Sequence, residues 1–170
     1  METAQGLYHS LENQRYSFLD RGRTSSELTL PYVLPPDGHN FATKYYTPYQ
    51  GIGARGVLNL SSKLLLALLP PNAPFFRLVI DRYELDKAKQ ELGPEGAEQL
   101  RSDLEKALAD VERSVSQEVE VQNFRNGIFQ ALKNLLISGN SLLYLPDEGG
   151  MRVFRLDRYV VKRDPMGNVT

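Results

Sequence analysis

Apolar residues recur at helical spacing along most of this chain and shift to short β-like runs only near its end. Over residues 3–24, Leu7, Leu11 and Phe18, with Tyr8 and Arg15 among them, form a three-and-four spacing broken by charges, which predicts an amphipathic surface helix. Over 53–69, Val57, Leu60, Leu64 and Leu68 keep that spacing. Leu58, Leu65, Leu66 and Leu69 widen the stripe until the end of the helix is apolar nearly all round, so that end is expected to be buried. Pro70-Pro71 stops the helix, because proline offers no amide donor and its ring clashes with the preceding turn. The run FFRLVID at 75–81 reads as a strand, and 83–92 as a short helical piece halted by Gly93-Pro94. A long helix over 95–121 follows, its stripe of Ala97, Leu100, Leu104, Leu108, Val111, Val115 and Val119 advancing by 3, 4, 4, 3, 4 and 4. Asn123 can cap a further helix over 124–138, with Ile128, Leu132, Leu135 and Leu136 as its stripe and Gly139-Asn140 as its stop.

The pattern then changes period. LLYL (142–145), PDEGG (146–150) and MRVFRL (151–156) predict a β-hairpin, YVVKR (159–163) a further strand and DPMGN (164–168) a turn. The sequence closes at Val169-Thr170, where a return strand is due, and an unpaired edge there is a liability. The expectation is the front part of a longer chain whose continuation completes the sheet. The expected fold class is α+β: helix-rich, with antiparallel hairpin strands toward the C-terminal end, and incomplete without the downstream chain. Four segments are expected within 1–170: a helical segment over 1–30, a proline- and aromatic-rich arm over 31–50, a helical core with one strand over 51–140, and a hairpin region over 141–170. Pro31, Pro35, Pro36 and Pro48 exclude a long helix or a central strand from the arm. Its Tyr32, Phe41, Tyr45, Tyr46 and Tyr49 suit a loop that drapes over the core or over a neighbour.

Composition narrows the function classes. With 41% hydrophobic and 24% charged residues the chain is globular rather than disordered. It has no cysteine, which excludes disulfides, thiolate metal sites and cysteine nucleophiles. The N-terminal METAQGLYHSLENQR has neither the basic nor the apolar region of a signal peptide, and the longest apolar stretch, 64–69, falls far short of the roughly 20 residues that span a bilayer. The formal net charge of −1 lacks the basic surplus with which proteins grip duplex DNA.

Chemistry is sought first in GIGARG, residues 51–56, which fits the phosphate-cradling pattern G-x-G-x-x-G, with Asp81 placed where a ribose-binding acid could stand. That pattern requires an apolar strand ahead of its first glycine, and FATKYYTPYQ is polar and carries Pro48; no second βα unit follows FFRLVID either. The better reading of Gly51, Gly53 and Gly56 is as small residues in the first turns of a helix, open to the approach of another backbone, with Arg55 free for a salt bridge or for solvent. Together with Tyr45, Tyr46 and Tyr49 they are candidates for subunit packing. His9 and His39 lie 30 residues apart with no carboxylate cluster around either, so no catalytic, cofactor or metal residue is assigned. Arg152, Arg155, Arg158, Lys162 and Arg163, facing only Asp157 and Asp164, form a candidate basic patch; Arg152 and Arg158 share a strand parity. The helix at 95–121 carries eight Asp/Glu against Arg101, Lys106 and Arg113, a solvated face or an acidic docking surface. Two other classes stay open on these features: a nucleotide-binding enzyme fragment resting on GIGARG, and a monomeric interaction adaptor using the acidic helix.

Several blocks, taken in order, carry a resemblance: YHSLENQR, LTLPYVLPP, YYTPYQGIGARGVLNLSSKLLLALLPP, FRLVIDRYE, FQALKNLLISGNSLLYLPD and MRVFRLDRYVVKRDPMGNV. Together they resemble the start of portal proteins, the head–tail connectors of short-tailed double-stranded DNA phages (podoviruses), from residue 7 to 169, with only helical character shared over 85–121. The resemblance implies a non-enzymatic subunit of a homo-oligomeric ring, a dodecamer in the family, at one vertex of the viral capsid. Double-stranded DNA passes through such a ring during packaging and ejection without sequence-specific contact. The implied partners are further copies of the chain, scaffolding and major capsid proteins, terminase during packaging, and tail adaptor proteins, with no membrane. The implied location is the virion, and the host cytoplasm during assembly. This segment would be the N-terminal, mostly wing, part, ahead of the channel-lining stem.

Overall fold

The computed structural model describes residues 3–40, 42–45, 49–71, 74–147 and 149–169. Helices α1 (Ala4–Leu28), α2 (Ile52–Leu68), α3 (Arg82–Val121) and α4 (Phe124–Ser138) are followed by strands β1 (Leu142–Tyr144) and β2 (Arg152–Phe154) and a 3-10 turn, Leu156–Arg158. The strands pair antiparallel in the register Leu142↔Phe154, Leu143↔Val153 and Tyr144↔Arg152. The class is therefore α+β in a helix-rich form with a small two-stranded sheet. The chain divides into two compact units, one of Met1–Leu65 with Asn126–Thr170, the other of Leu66–Arg125.

In the first unit, Thr3 caps α1, its hydroxyl accepting from Gly6 N at 3.3 Å. The helix runs four residues past its expected end. Its packed face is Arg15, Leu19, Gly22 and Ser26, whereas Leu7 and Phe18, which the apolar spacing selects, are exposed. Two small clusters form the core: Leu19, Leu34 and Leu156 with Tyr159 against them, and Leu30, Val33 and Ile137 with Ala54 and Val57. The start of the arm thus drapes over its own unit. Ser26, fully buried, pins it: the hydroxyl donates to Leu30 O at 2.8 Å and accepts from Leu34 N at 3.0 Å. Gly22 makes room, since a Cβ there would meet Leu34 Cδ2 at 2.8 Å.

The hairpin is shorter than expected because Leu156 opens a 3-10 turn. Residues 159–163 form no strand; Arg163 makes a single antiparallel bridge to Val169 around the turn at 164–168. The carbonyls of Leu156 and Tyr159, which a ladder would use, accept instead from Arg15. Gly139, at φ 73°, ends α4 as anticipated, its N–H donating to Leu135 O.

In the second unit, residues 74–81 have no regular structure, a correction to the expected strand. Among the described residues no neighbouring strand offers a ladder, and Leu78 N donates to the Glu112 carboxylate. Asp81 caps α3 by accepting from Tyr83 N at 3.1 Å. The expected break in α3 is present at Gly93, whose φ of 73° and ψ of 172° no helix accommodates. Asn123 does not act as a side-chain cap for α4. It takes a left-handed φ of 58° and closes α3, with its N–H on Glu120 O at 3.1 Å. Arg125 ties this unit together, donating to Leu69 O, to Pro70 O at 3.3 Å and to Glu120 at 2.8 Å. The end of α2 is not buried as its all-round apolar character predicts: Leu66 and Leu68 are each 55% exposed, with only Leu69 covered. Along α3, Ala97 is buried but Leu100, Leu104, Val111 and Val115 are exposed, so much of that stripe has no cover within the single chain.

Candidate functional site

The glycine motif sits at the first turn of α2, where Arg55 N donates to Gly51 O at 2.9 Å. Its three glycines are not equivalent. A Cβ on Gly53 would lie 2.8 Å from Leu28 O and 3.1 Å from Thr29 Cγ2, so the helix start presses on the backbone that ends α1. A Cβ on Gly51 or Gly56 would meet nothing within 4 Å. One glycine, not three, admits a backbone within the chain, and that backbone is its own. The described residues ahead of Gly51, 42–45 and 49–50, hold no strand, and Asp81 is occupied as a helix cap, so the geometry of a dinucleotide fingerprint is missing on both sides.

Around the motif the arm is partly anchored and partly free. Tyr45 is half-buried, its ring centroid 5.3 Å from that of His39 and its hydroxyl 3.1 Å from Nε2. Tyr49 is wholly exposed, Ile52 is largely so, and Arg55 is exposed. Tyr46, Phe41 and Pro48 lie outside the described residues.

The five cations near the C-terminal end differ in their partners. Arg155 pairs with Asp157 at 2.9 Å, and Arg158 approaches the same carboxylate at 3.6 Å. Arg163 donates to Gly167 O at 2.8 Å and to Asn140 Oδ1 at 2.9 Å. Arg152 and Lys162 are exposed. The parity shared by Arg152 and Arg158 is lost because the 3-10 turn intervenes. Arg155 and Arg158 line a cleft with Arg15 and Arg23, but its carboxylates answer them: Arg23 makes a two-pronged ion pair with Asp37, and Arg15 reaches Glu12 at 3.5 Å.

Two buried cations take roles that a hydrophobic period does not assign. Arg15 holds α1 to the C-terminal segment, its Nη1 donating to Tyr159 O at 2.6 Å and Leu156 O at 3.2 Å. Burial pushes the Tyr159 phenol up, against the opposing pull of Arg163 and Arg15. The second is Lys133, buried on α4 between the rings of Phe129 and Tyr32. The signal for it was available, since Lys133 is the one charged residue between Arg125 and Asp147.

On the acidic helix, pairs such as Arg101–Glu105 at 2.8 Å and Arg113–Asp110 at 3.1 Å neutralise part of the surplus. Among the described residues no group of three or more His, Asp or Glu side chains converges as a metal site would, and no helix is long and apolar enough to cross a membrane.

What the geometry offers is exposed apolar residues along α3 and at the end of α2, the exposed Tyr32 and Tyr49, and unevenly placed charge. Comparison with known proteins gives the chain a family. The whole chain, residues 1–170, matches the model described as bacteriophage head to tail connecting protein, and the chain belongs to that family. Among its relatives, the portal protein of Escherichia phage T7 is 41% identical over 172 residues, covering 98% of this chain and 31% of that protein. The portal protein of Enterobacteria phage T3 is 39% identical over 171 residues, covering 98% and 30%. That of Enterobacteria phage SP6 is 31% identical over 163 residues, covering 96% and 30%. The chain spans about a third of the length of the curated relatives it matches.

Proposed function

We propose that this chain is the N-terminal, mostly wing, part of a portal subunit. The subunit forms a homo-oligomeric ring, a dodecamer, at one capsid vertex, and the ring is the channel for packaging and ejection of double-stranded DNA. The observation that carries the reading is the 41% identity to a portal protein across nearly all of this chain. The fold supports it in physical terms. Leu66, Leu68, Leu100, Leu104, Val111 and Val115 leave apolar area open in the single chain, as a subunit designed for neighbours does. The near-neutral charge suits a protein past which DNA slides rather than one that holds it.

The candidate packing residues in this reading are Tyr45, Tyr46, Tyr49, Gly51, Gly53, Arg55 and Gly56. Residues 1–30, 31–50, 51–140 and 141–170 serve as helical segment, arm, helical core and hairpin region. The subunit is structural rather than catalytic. It docks scaffolding and major capsid proteins and the terminase during assembly in the host cytoplasm, then tail adaptors in the virion. Negative-stain imaging of the full-length protein tests the reading: rings with a central hole are expected. A protein that stays monomeric in light scattering at high concentration and yields no rings refutes it.

A further inference from the structure

Lys133 lies on α4 among apolar neighbours. It is 9% exposed, and its ammonium lies 4.9 Å from the Phe129 ring centroid and 5.6 Å from that of Tyr32. Among the described residues no carboxylate forms an ion pair with it. Burial alone lowers its pKa, with no acidic group pulling the other way. Aromatic faces return less than the desolvation of an ammonium costs, so a cation held in this way wants an anion to complete its surroundings. Beside Lys133, Tyr32 is 46% exposed, an aromatic of the kind that anchors protein interfaces.

The charge of the chain is divided between its units. Met1–Leu65 with Asn126–Thr170 holds twelve Lys/Arg against nine Asp/Glu, while Leu66–Arg125 holds eight against twelve. A positive and a negative unit on one chain are complementary between copies. A head-to-tail contact, in which the basic unit of one copy meets the acidic unit of the next, would use that complementarity and would close when repeated around a ring.

We infer that Lys133, framed by Phe129 and Tyr32, is a subunit-contact socket that takes a carboxylate from the acidic unit, residues 66–125, of a neighbouring copy. The inference rests on the ring reading above and adds to it the contact, its polarity and its chemistry.

The test uses full-length protein. Light- and heavy-nitrogen subunits are mixed before assembly and treated with a carbodiimide. The reagent couples an amine to a touching carboxylate as an amide and takes up the lost water as a urea. Mass spectrometry is expected to find Lys133 joined to an Asp or Glu of 66–125 carrying the other label. Cross-links confined to one label, cross-links to carboxylates elsewhere, or none at Lys133 in assembled rings overturn the inference. In parallel, Lys133→Met keeps the volume and removes the charge. It is expected to raise the concentration for half-assembly roughly tenfold or more and to weaken its salt dependence. The melting temperature of the unassembled subunit should be unchanged or higher. Rings of Lys133→Met that form at the wild-type concentration also overturn it. If wild-type protein forms no rings, the ring reading itself fails; if it forms rings that ignore Lys133, only the socket fails.

Discussion

Substituting alanine for each glycine of GIGARG separates a packed backbone from a phosphate loop. At Gly56 an added methyl meets nothing within 4 Å, and the position lies inside α2. Alanine there recovers the helix propensity that glycine forfeits, about 0.5–1 kcal/mol in favour of the folded chain. At Gly53 the same methyl sits 2.8 Å from Leu28 O, well inside the 3.4 Å at which ordinary contact begins, and 3.1 Å from Thr29 Cγ2. The nearest atom is a carbonyl oxygen of the main chain, so relief requires the end of α1 or the start of α2 to move. Overpacking of this kind costs about 1–3 kcal/mol, which outweighs the propensity gain and leaves Gly53→Ala about 1 kcal/mol less stable than wild type. The two variants should therefore differ by about 2 kcal/mol, and for a chain of this size that is a gap of roughly 4–8 °C in melting temperature. Gly51→Ala, in open space ahead of the helix, should be close to neutral. Thermal and urea unfolding followed by circular dichroism measure all three, with an unchanged urea slope as the check that only stability has moved. The packing argument is refuted if Gly53→Ala melts at or above Gly56→Ala. A nucleotide loop would instead show nucleotide-dependent stabilisation that all three substitutions diminish.

Two further outcomes are expected. Arg15→Met keeps the aliphatic stem but removes charge-assisted donors to Leu156 O and Tyr159 O at a side chain only 9% exposed; it should cost about 2–4 kcal/mol and speed amide hydrogen exchange over 155–163, and unchanged exchange there would refute the tethering role. The Asp164 carboxyl is held below its ordinary value of 3.8 by the Asn168 side chain and main chain, so its stabilisation of the 164–168 turn is present above that value and is lost as pH falls through the lower, folded-state one. The Asn168 amide resonance should therefore titrate with a midpoint below 3.8 and lose that step in Asp164→Asn, and a midpoint at or above 3.8 would contradict the assignment.

The sequence by itself determined the features that a few neighbouring residues dictate. Pro70-Pro71 ends α2 and Gly139 ends α4 because a missing amide donor and a left-handed φ act on the backbone where they stand. Gly93 breaks α3 for the same reason, and the Leu142–Phe154 hairpin follows from two β-rich runs around a polar turn. The family, too, was legible in the order of its sequence blocks. Only the tertiary structure decided what depends on partners far along the chain. The packed face of α1 is Arg15, Leu19, Gly22 and Ser26, and only one of these four is a large apolar residue, so a hydrophobic period marks the face at Leu11 and Arg15 but also selects the exposed Leu7 and Phe18. Arg15 finds its carbonyls 141 and 144 residues away, at the end of the run expected over 151–156 and at the start of the strand expected over 159–163. The apolar run at 75–81 has the composition of a strand but no ladder to join. Among three similar glycines, only the approach of Leu28 and Thr29 singles out Gly53. Of the basic cluster, Arg155 and Arg158 share the Asp157 carboxylate and Arg163 bonds Gly167 O and Asn140, while the solitary Lys133 is buried against two rings. Backbone propensity acts within a turn of its own residue, whereas burial, pairing and steric fit exist only once distant segments have met.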